Sequence, residues 1–321
     1  MYVLELAGED DAFAAAEAAT AAADVAVLAP GLATATALDR ERFAHLAFAH
    51  RASEVVARTP NSLEAVRAAL ADAPLDGDGT VAVRARDVRG TGDVDTQAAE
   101  RALGQVLVEA GYEVDLDAPE HVLVALFAED VAVLGWKVAR TERGYGERAP
   151  TDRPFFQPGS MDPQLARAVV NLAGVEPGDR FLDPMCGTGG LLIEAGLVGA
   201  RPVGFDAQRR MVAGSRQNLE AFLAEVRDVG LADATALPLR DDSVDAVAFD
   251  APYGRQSKIA SHEPADLLAG ALAEAERVAS RGVLVAERDA SAAADRAGWT
   301  VEAVYERRVH RSLTRFVHVL E

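Results

Sequence analysis

From about residue 161 to the C-terminus, apolar runs of strand length take turns with amphipathic stretches of helix length. Strands are expected at Arg180 to Asp183, Pro202 to Asp206, Asp228 to Leu231, Val244 to Asp250, Gly282 to Glu287, Thr300 to Glu306 and Ser312 to Leu320. Helices are expected at Asp162 to Ala173, Gly190 to Gly199, Gln208 to Glu225, Pro264 to Ala279 and Ala290 to Ala297. Such an order predicts an α/β fold with a doubly wound parallel sheet. No helix separates the last two strands, so they should form an antiparallel hairpin at one edge.

The chain before this point is patterned differently. Residues 1–50 open with a strand, Tyr2 to Leu6, an Ala-rich helix from Asp11 to about Ala23 capped by Asp10 or Asp11, and a second strand at 25–29 stopped by Pro30-Gly31. They suggest a small α+β layer. Residues 51–140 carry a helix at Ser62 to Leu70, an alternating strand at Thr80 to Arg86 with Arg84 and Arg86 on one face, a helix from Thr96 to Ala110 ended by Gly111, and a hairpin of 122–127 with 131–136. They suggest a compact accessory domain. Residues 141–160 form a linker in which Arg143, Arg148 and Arg153 mix with Gly, Pro and acids, and 161–321 form the α/β domain.

Charge narrows the partners. The formal net charge is −19, with 51 acidic residues against 32 basic ones, and lysine occurs only at Lys137 and Lys258. Bulk attraction to nucleic acid is therefore excluded as a binding mode. A hydrated carboxylate surface suits high salt, so a halophilic source is expected. At about 1 M salt the screening length is only ~3 Å, and net charge then says little about partners. RNA binding would have to rest on local arginines, stacking and shape. No run approaches the roughly 20 apolar residues of a membrane span, and the N-terminus lacks a secretory pattern. One cysteine, Cys186, excludes an internal disulfide and a Cys-based zinc site. A soluble, cytoplasmic monomer without metal is expected.

Two stretches carry chemistry. In Asp183-Pro184-Met185-Cys186-Gly187-Thr188-Gly189-Gly190 a strand ends in an acid and passes through a glycine-dense turn into a helix. Glycines there let a ligand approach the backbone. Neither G-x-G-x-x-G nor G-K-[ST] is present, and Asp183 would repel phosphates but suit a cationic or amine-bearing ligand. Asp206 ends the next strand, where an acid can take two ribose hydroxyls. Asp233, followed by Ala234, ends the third and could accept from an adenine amine. Cys186 has no nearby histidine and reads as a small loop residue, not a nucleophile. The second stretch, Asp250-Ala251-Pro252-Tyr253-Gly254, sets an acid, a rigid carbonyl-bearing turn and an aromatic ring at a strand's carboxyl end. Together these could hold a flat, amine-bearing ring.

This set of residues resembles the class I methyltransferases that use S-adenosylmethionine, and the last stretch resembles the [DN]-x-P-Y pattern of enzymes that methylate exocyclic amines. The segment Arg153 to Pro163 is similar to the start of the catalytic domain in archaeal tRNA (guanine-10, N2) methyltransferases. The resemblance implies an N-terminal ferredoxin-like layer at 1–50, a THUMP-like RNA-binding domain at 51–140 and a catalytic domain at 161–321. It implies a donor site of Asp183, Met185, Cys186, Gly187, Thr188, Gly189, Gly190, Asp206, Asp233 and Ala234. It implies a catalytic set of Asp250, Pro252 and Tyr253, and tRNA as the partner. Arg84, Arg86, Arg143 and Arg148 are the candidate RNA contacts. Arg307, Arg308 and Arg311 would meet substrate or pair with the abundant acids. Ala251 departs from the pattern, since many amine methyltransferases have proline there. The sequence leaves open a different tRNA guanine, another exocyclic or amide amine, and a non-catalytic RNA-binding protein that kept the fold.

Overall fold

The computed structural model describes residues 1–224, 228–251, 263–310 and 313–321, which fall into two compact units, Met1–Glu142 and Arg143–Glu321. Pro252, Tyr253, Gly254 and Arg311 lie outside the described residues. Among the described residues no helix is long and apolar enough to cross a membrane.

The first unit is built on one eight-stranded sheet, in the order Ala26–Ala29, Leu32–Ala35, Tyr2–Leu6, Ala49–Pro60, Val131–Arg140, His121–Ala128, Thr80–Asp87, Glu113–Val114. The expected boundary after residue 50 falls within the strand Ala49–Pro60. That strand pairs antiparallel with Tyr2–Leu6 on one side and with Val131–Arg140 on the other. The Ala-rich helix is shorter than its composition suggests, Asp11–Ala18, because Ala22–Ala23 pairs with Ala37–Leu38. Asp10 is its cap, accepting from the Phe13 amide, whereas Asp11 accepts from the Gly31 amide and binds Arg89. The hairpin and the helix Thr96–Glu109 form as expected, with Gly111 at φ +108° just past the helix end.

The second unit has the seven-stranded sheet that the alternation predicts. Its order is Val229–Leu231, Arg201–Asp206, Arg180–Asp183, Ala246–Asp250, Gly282–Ala286, Leu313–Leu320, Val301–His310. The first five strands run parallel, and Leu313–Leu320 is antiparallel to both of its neighbours. The final strand inserts between Gly282–Ala286 and the edge strand Val301–His310. Central strands such as Gly282–Ala286 are buried throughout, as expected of parallel strands covered on both faces. Strand order steps one way from Arg180–Asp183 to Arg201–Asp206 and the other way from Ala246–Asp250 to Gly282–Ala286. Right-handed crossovers therefore carry the intervening helices, Gly190–Leu197 and Pro264–Val278, to opposite faces. On the latter face Leu182, Val247, Phe249 and Leu284 pack with Leu272 and Trp299. The chain reverses between Arg180–Asp183 and Ala246–Asp250, which makes the space beyond those two strand tips the place where a doubly wound sheet takes its ligand.

A buried acid joins the linker to this sheet. Glu194, fully buried on Gly190–Leu197, receives Arg148 through Nε at 2.6 Å and Nη2 at 3.1 Å, and Arg167 through Nη2 at 2.9 Å. Arg153, also buried, donates from Nε to the Arg148 carbonyl at 3.0 Å. Removing the one carboxylate leaves like charges buried together. Glu194→Ala is expected to destabilise the protein by about 3–5 kcal/mol in chemical denaturation; a change below about 1 kcal/mol would show that the pair behaves as a surface ion pair.

Candidate active site

Asp183 and Asp250 are the last residues of the two strands that flank the reversal, and Asp206 is the last residue of the next strand out. The turn between Asp183 and Gly190 is shaped by its glycines. Gly187 and Gly189 have φ of +51° and +79°. A side chain at Gly189 would also place Cβ 2.5 Å from Ser215 Oγ and 2.7 Å from Leu219. That position can only be glycine, for conformation and for space.

The acids hold this turn by its amides. Asp183 accepts from the Met185 amide at 3.0 Å, while Asp206 accepts from the Gly187 amide at 3.1 Å and the Gln208 amide at 2.8 Å. Each carboxylate oxygen keeps a second lone pair for a ligand. Burial pushes the Asp183 carboxyl well above the ordinary carboxylate range; its Met185 hydrogen bond opposes this, and the charges of Asp206 and Asp250 add to the rise. Burial also raises Asp206, against the pull of its two backbone hydrogen bonds. Cys186 is buried, and burial together with Asp183 and Asp206 raises its thiol, so it is a packed loop residue with no thiolate to offer.

Asp233 does not end the third strand as expected: that strand, Val229–Leu231, stops two residues earlier, and Asp233 stands in the turn that follows. Its Oδ1 accepts from the amide of Thr235 at 2.9 Å and from its hydroxyl at 2.8 Å, closing a local turn, and the neighbouring Ala234 is buried in the core. Thr188 is buried and its hydroxyl lies 3.1 Å from Ser160 Oγ. Since Ser160 Oγ donates to the Gln157 carbonyl, Thr188 is the donor of that pair.

Several contributors were not evident from sequence. Asn218, fully buried on the helix Arg209–Phe222, accepts from the Phe155 amide at 2.8 Å. Its Nδ2 donates to the carbonyls of Phe155 and Thr188, both at 2.9 Å. The Phe155 ring lies against Gly214, where a Cβ would come within 2.1 Å of it, and Arg210 covers the ring with its guanidinium carbon 5.4 Å from the centroid. The lead-in segment is thus fastened across the glycine turn. Arg315, on the last strand, reaches Asp250 with Nη2 at 3.0 Å from Oδ2.

The arginines assigned to RNA have mostly internal partners. Arg148 is bound to buried Glu194 and lies over the Tyr145 ring at 4.9 Å, with Arg143 at 5.8 Å from the same ring. Arg84 donates to the carbonyls of Val83 and Leu116, and Arg86 pairs with Glu5 at 2.8 Å. Arg86 still leaves about half of its side chain (48 %) in solvent.

Of the three carboxylates at the strand ends, Asp250 is paired with Arg315, while Asp183 and Asp206 are held by backbone amides and raise the cost of placing a phosphate beside them. They fit a ligand that brings positive charge and hydroxyl or amine donors, which is the donor set of S-adenosylmethionine: an ammonium, a sulfonium and a ribose diol.

Residues 150–316 match the RMKL-like methyltransferase domain. The chain is 38% identical over 289 residues to a tRNA (guanine(10)-N2)-dimethyltransferase of Methanothermobacter thermautotrophicus, covering 86% of this chain and 83% of that one. It is 31% identical over 250 residues to the enzyme of the same name from Pyrococcus abyssi, covering 76% and 74%. The crystal structure of TrmN from Thermus thermophilus superposes with a TM-score of 0.52 at 24% identity, over 100% of this chain and 99% of that one, a likeness of fold.

The raised Asp183 carboxyl has a consequence for stability. A carboxyl whose folded pKa exceeds its unfolded value of about 3.9 makes the ligand-free protein less stable as pH climbs from there towards the folded value. Asp183→Asn should therefore leave the ligand-free protein as stable as wild type, or more stable, at pH 7, with the gain shrinking towards pH 4. Thermal melts across that range check it; a variant clearly less stable at pH 7 would contradict the assignment.

Proposed function

The chain belongs to the RMKL-like methyltransferase family, and on that footing we propose that it transfers methyl groups from S-adenosylmethionine to the exocyclic N2 of a guanine in tRNA, guanosine 10. The observation that carries the proposal is the set of strand-tip acids around the glycine turn, with Asp250 at the point of chain reversal and, in the sequence, heading Asp250-Ala251-Pro252-Tyr253. The archaeal relatives that resemble most of the chain are named as guanine(10)-N2 dimethyltransferases, and the position and the capacity for a second methyl are taken from them.

Asp183 is suited to the ammonium of the donor and Asp206 to its ribose hydroxyls; Asp233 and Ala234 line the direction of the adenine. Bound there, the donor supplies a methyl carbon on a cationic sulfur. The protein's own part is to make a poor nucleophile able to attack. The lone pair of guanine N2 is delocalised into the ring. An N–H of that amine donating to the Asp250 carboxylate, and another to the Ala251 carbonyl, localises the pair on nitrogen. Asp250 is also placed to take the proton that nitrogen sheds when the new N–C bond forms. The Tyr253 ring would stack on the base, and Pro252 would stiffen the turn between them. Much of the rate then comes from holding amine and methyl carbon in line. The target base must leave its stack to arrive at such a site. After one transfer N2 keeps one N–H, so a second round needs only space for the first methyl.

We assign tRNA binding to the first unit, with Arg84 and Arg86 on its sheet as the contacts within it, and Arg143 beside the lead-in. Residues 1–50 and 51–140 would act there as the ferredoxin-like and THUMP-like parts of one RNA grip, in the cytoplasm of a halophilic cell.

The test is nucleoside mass spectrometry of tRNA incubated with the protein and isotope-labelled donor. N2-methyl and N2,N2-dimethylguanosine should appear, and be lost when guanosine 10 is replaced. Asp250→Ala should lower turnover by roughly 10² or more while S-adenosylhomocysteine still binds by calorimetry. Label on another base, or none, would sink the proposal, and near-normal turnover would remove Asp250 from the chemistry.

A further inference from the structure

The last strand, Leu313–Leu320, sets an arginine among apolar neighbours. Arg315 lies on the same side of the strand as Val317 and Val319 and is only 3 % exposed, although 51 acidic residues offer surface partners throughout the chain. A cation taken out of water to this degree is costly unless its partners are well placed. Nη2 lies 3.0 Å from Asp250 Oδ2 and donates to the Gly159 carbonyl at 3.2 Å. One nitrogen thus grips the tip of the strand Ala246–Asp250 and the lead-in segment, elements about ninety positions apart in the chain. The lead-in continues the connection: Ser160, next to Gly159, receives the Thr188 hydroxyl of the glycine turn at 3.1 Å. A run of polar contacts therefore links the turn that fits the donor, through Ser160, Gly159 and Arg315, to the acid that fits the amine.

We infer that Arg315 is a positioning residue for methyl transfer. It fixes the rotation of the Asp250 carboxylate by engaging Oδ2 and ties that carboxylate to the same segment that braces the donor turn, so that amine and methyl carbon meet at a set distance. The inference rests on the methyl-transfer reading above. A planar guanidinium with donors in fixed directions can hold a carboxylate and a carbonyl at once; a lysine ammonium at that place keeps the charge but not the geometry. Arg315 itself takes no part in the proton or methyl movement.

Arg315→Lys and Arg315→Ala, assayed as full-length protein on tRNA with wild type alongside, test this. Turnover should fall about 10-fold in R315K and about 100-fold in R315A, while KM for tRNA and affinity for S-adenosylhomocysteine stay within about two-fold of wild type. Guanidinium chloride added at low concentration should restore part of the R315A rate and none of the loss in Asp250→Ala. Should R315A fail to fold, R315K decides by the same split between turnover and affinity. Unchanged turnover in R315K, or a loss of donor affinity that tracks the loss of rate, would overturn the inference while leaving an active wild type and its assigned reaction intact. An inactive wild type would remove the methyl-transfer reading, and the inference with it.

Discussion

Asp183 stands at the tip of a buried parallel strand, 3 % exposed, and the charges of Asp206 and Asp250 both reach it. Burying a carboxylate near two others is unfavourable, and a protein selected for stability alone would place an amide or an apolar residue there. The arrangement becomes intelligible if a cation arrives. The rest of the second unit follows from keeping the three acids in place: parallel strands bring their tips to one edge, the glycine turn supplies amides to two of the acids, and the chain reversal opens room beside them. The same field disfavours the phosphate groups that other doubly wound sheets bind at this edge.

Arginine solves a related problem elsewhere in the chain. The net charge is −19 and lysine is nearly absent, so the cations that matter structurally are guanidinium forks. Glu194 is held between Arg148 and Arg167, Glu5 between Arg51 and Arg86, and Asp250 by Arg315. In each case the acid is at least four-fifths buried or nearly so, and the fork reaches it from a different element, which fixes that element's position as well as neutralising the charge. Arg148, Arg167 and Arg315 are themselves shielded from solvent, so molar salt would weaken their pairs far less than exposed ones such as Arg86 with Glu5.

The inner strands of the second unit were legible because each is a short apolar run set off by glycine, proline or an acid, and its helices because amphipathic stretches of helix length fall between those runs. Asp183, Asp206 and Asp250 were legible because they end such runs. The strand Ala49–Pro60 was not, since His50, Arg51, Ser53 and Glu54 break its hydropathy. It forms because Val131–Arg140 pairs with Arg51 to Pro60, Tyr2–Leu6 pairs with Ala49 to Glu54, and Glu5 pairs with Arg51. Arg148 looked like a solvated linker residue because its partner, Glu194, lies 46 positions on. Arg315 is obscured for the same reason, its partner Asp250 lying far back in the chain, although an arginine in step with Val317 and Val319 on one side of an apolar strand is a readable sign of a buried charge. Nothing in the local sequence announces Asn218, a polar residue in a polar helix, whose bonds to Phe155 and Thr188 exist only in the folded chain.

Methyl transfer at this site requires that the strand-tip acids receive the donor's positive end and face its sulfur toward Asp250. A crystal structure of the protein with S-adenosylhomocysteine measures this directly. The account predicts the ligand's amino group on Asp183, its ribose hydroxyls on Asp206, and its sulfur on the side of the turn where the Asp250 carboxylate and Arg315 stand. A ligand bound with its amino group away from Asp183, or with Asp250 remote from the sulfur, would contradict it.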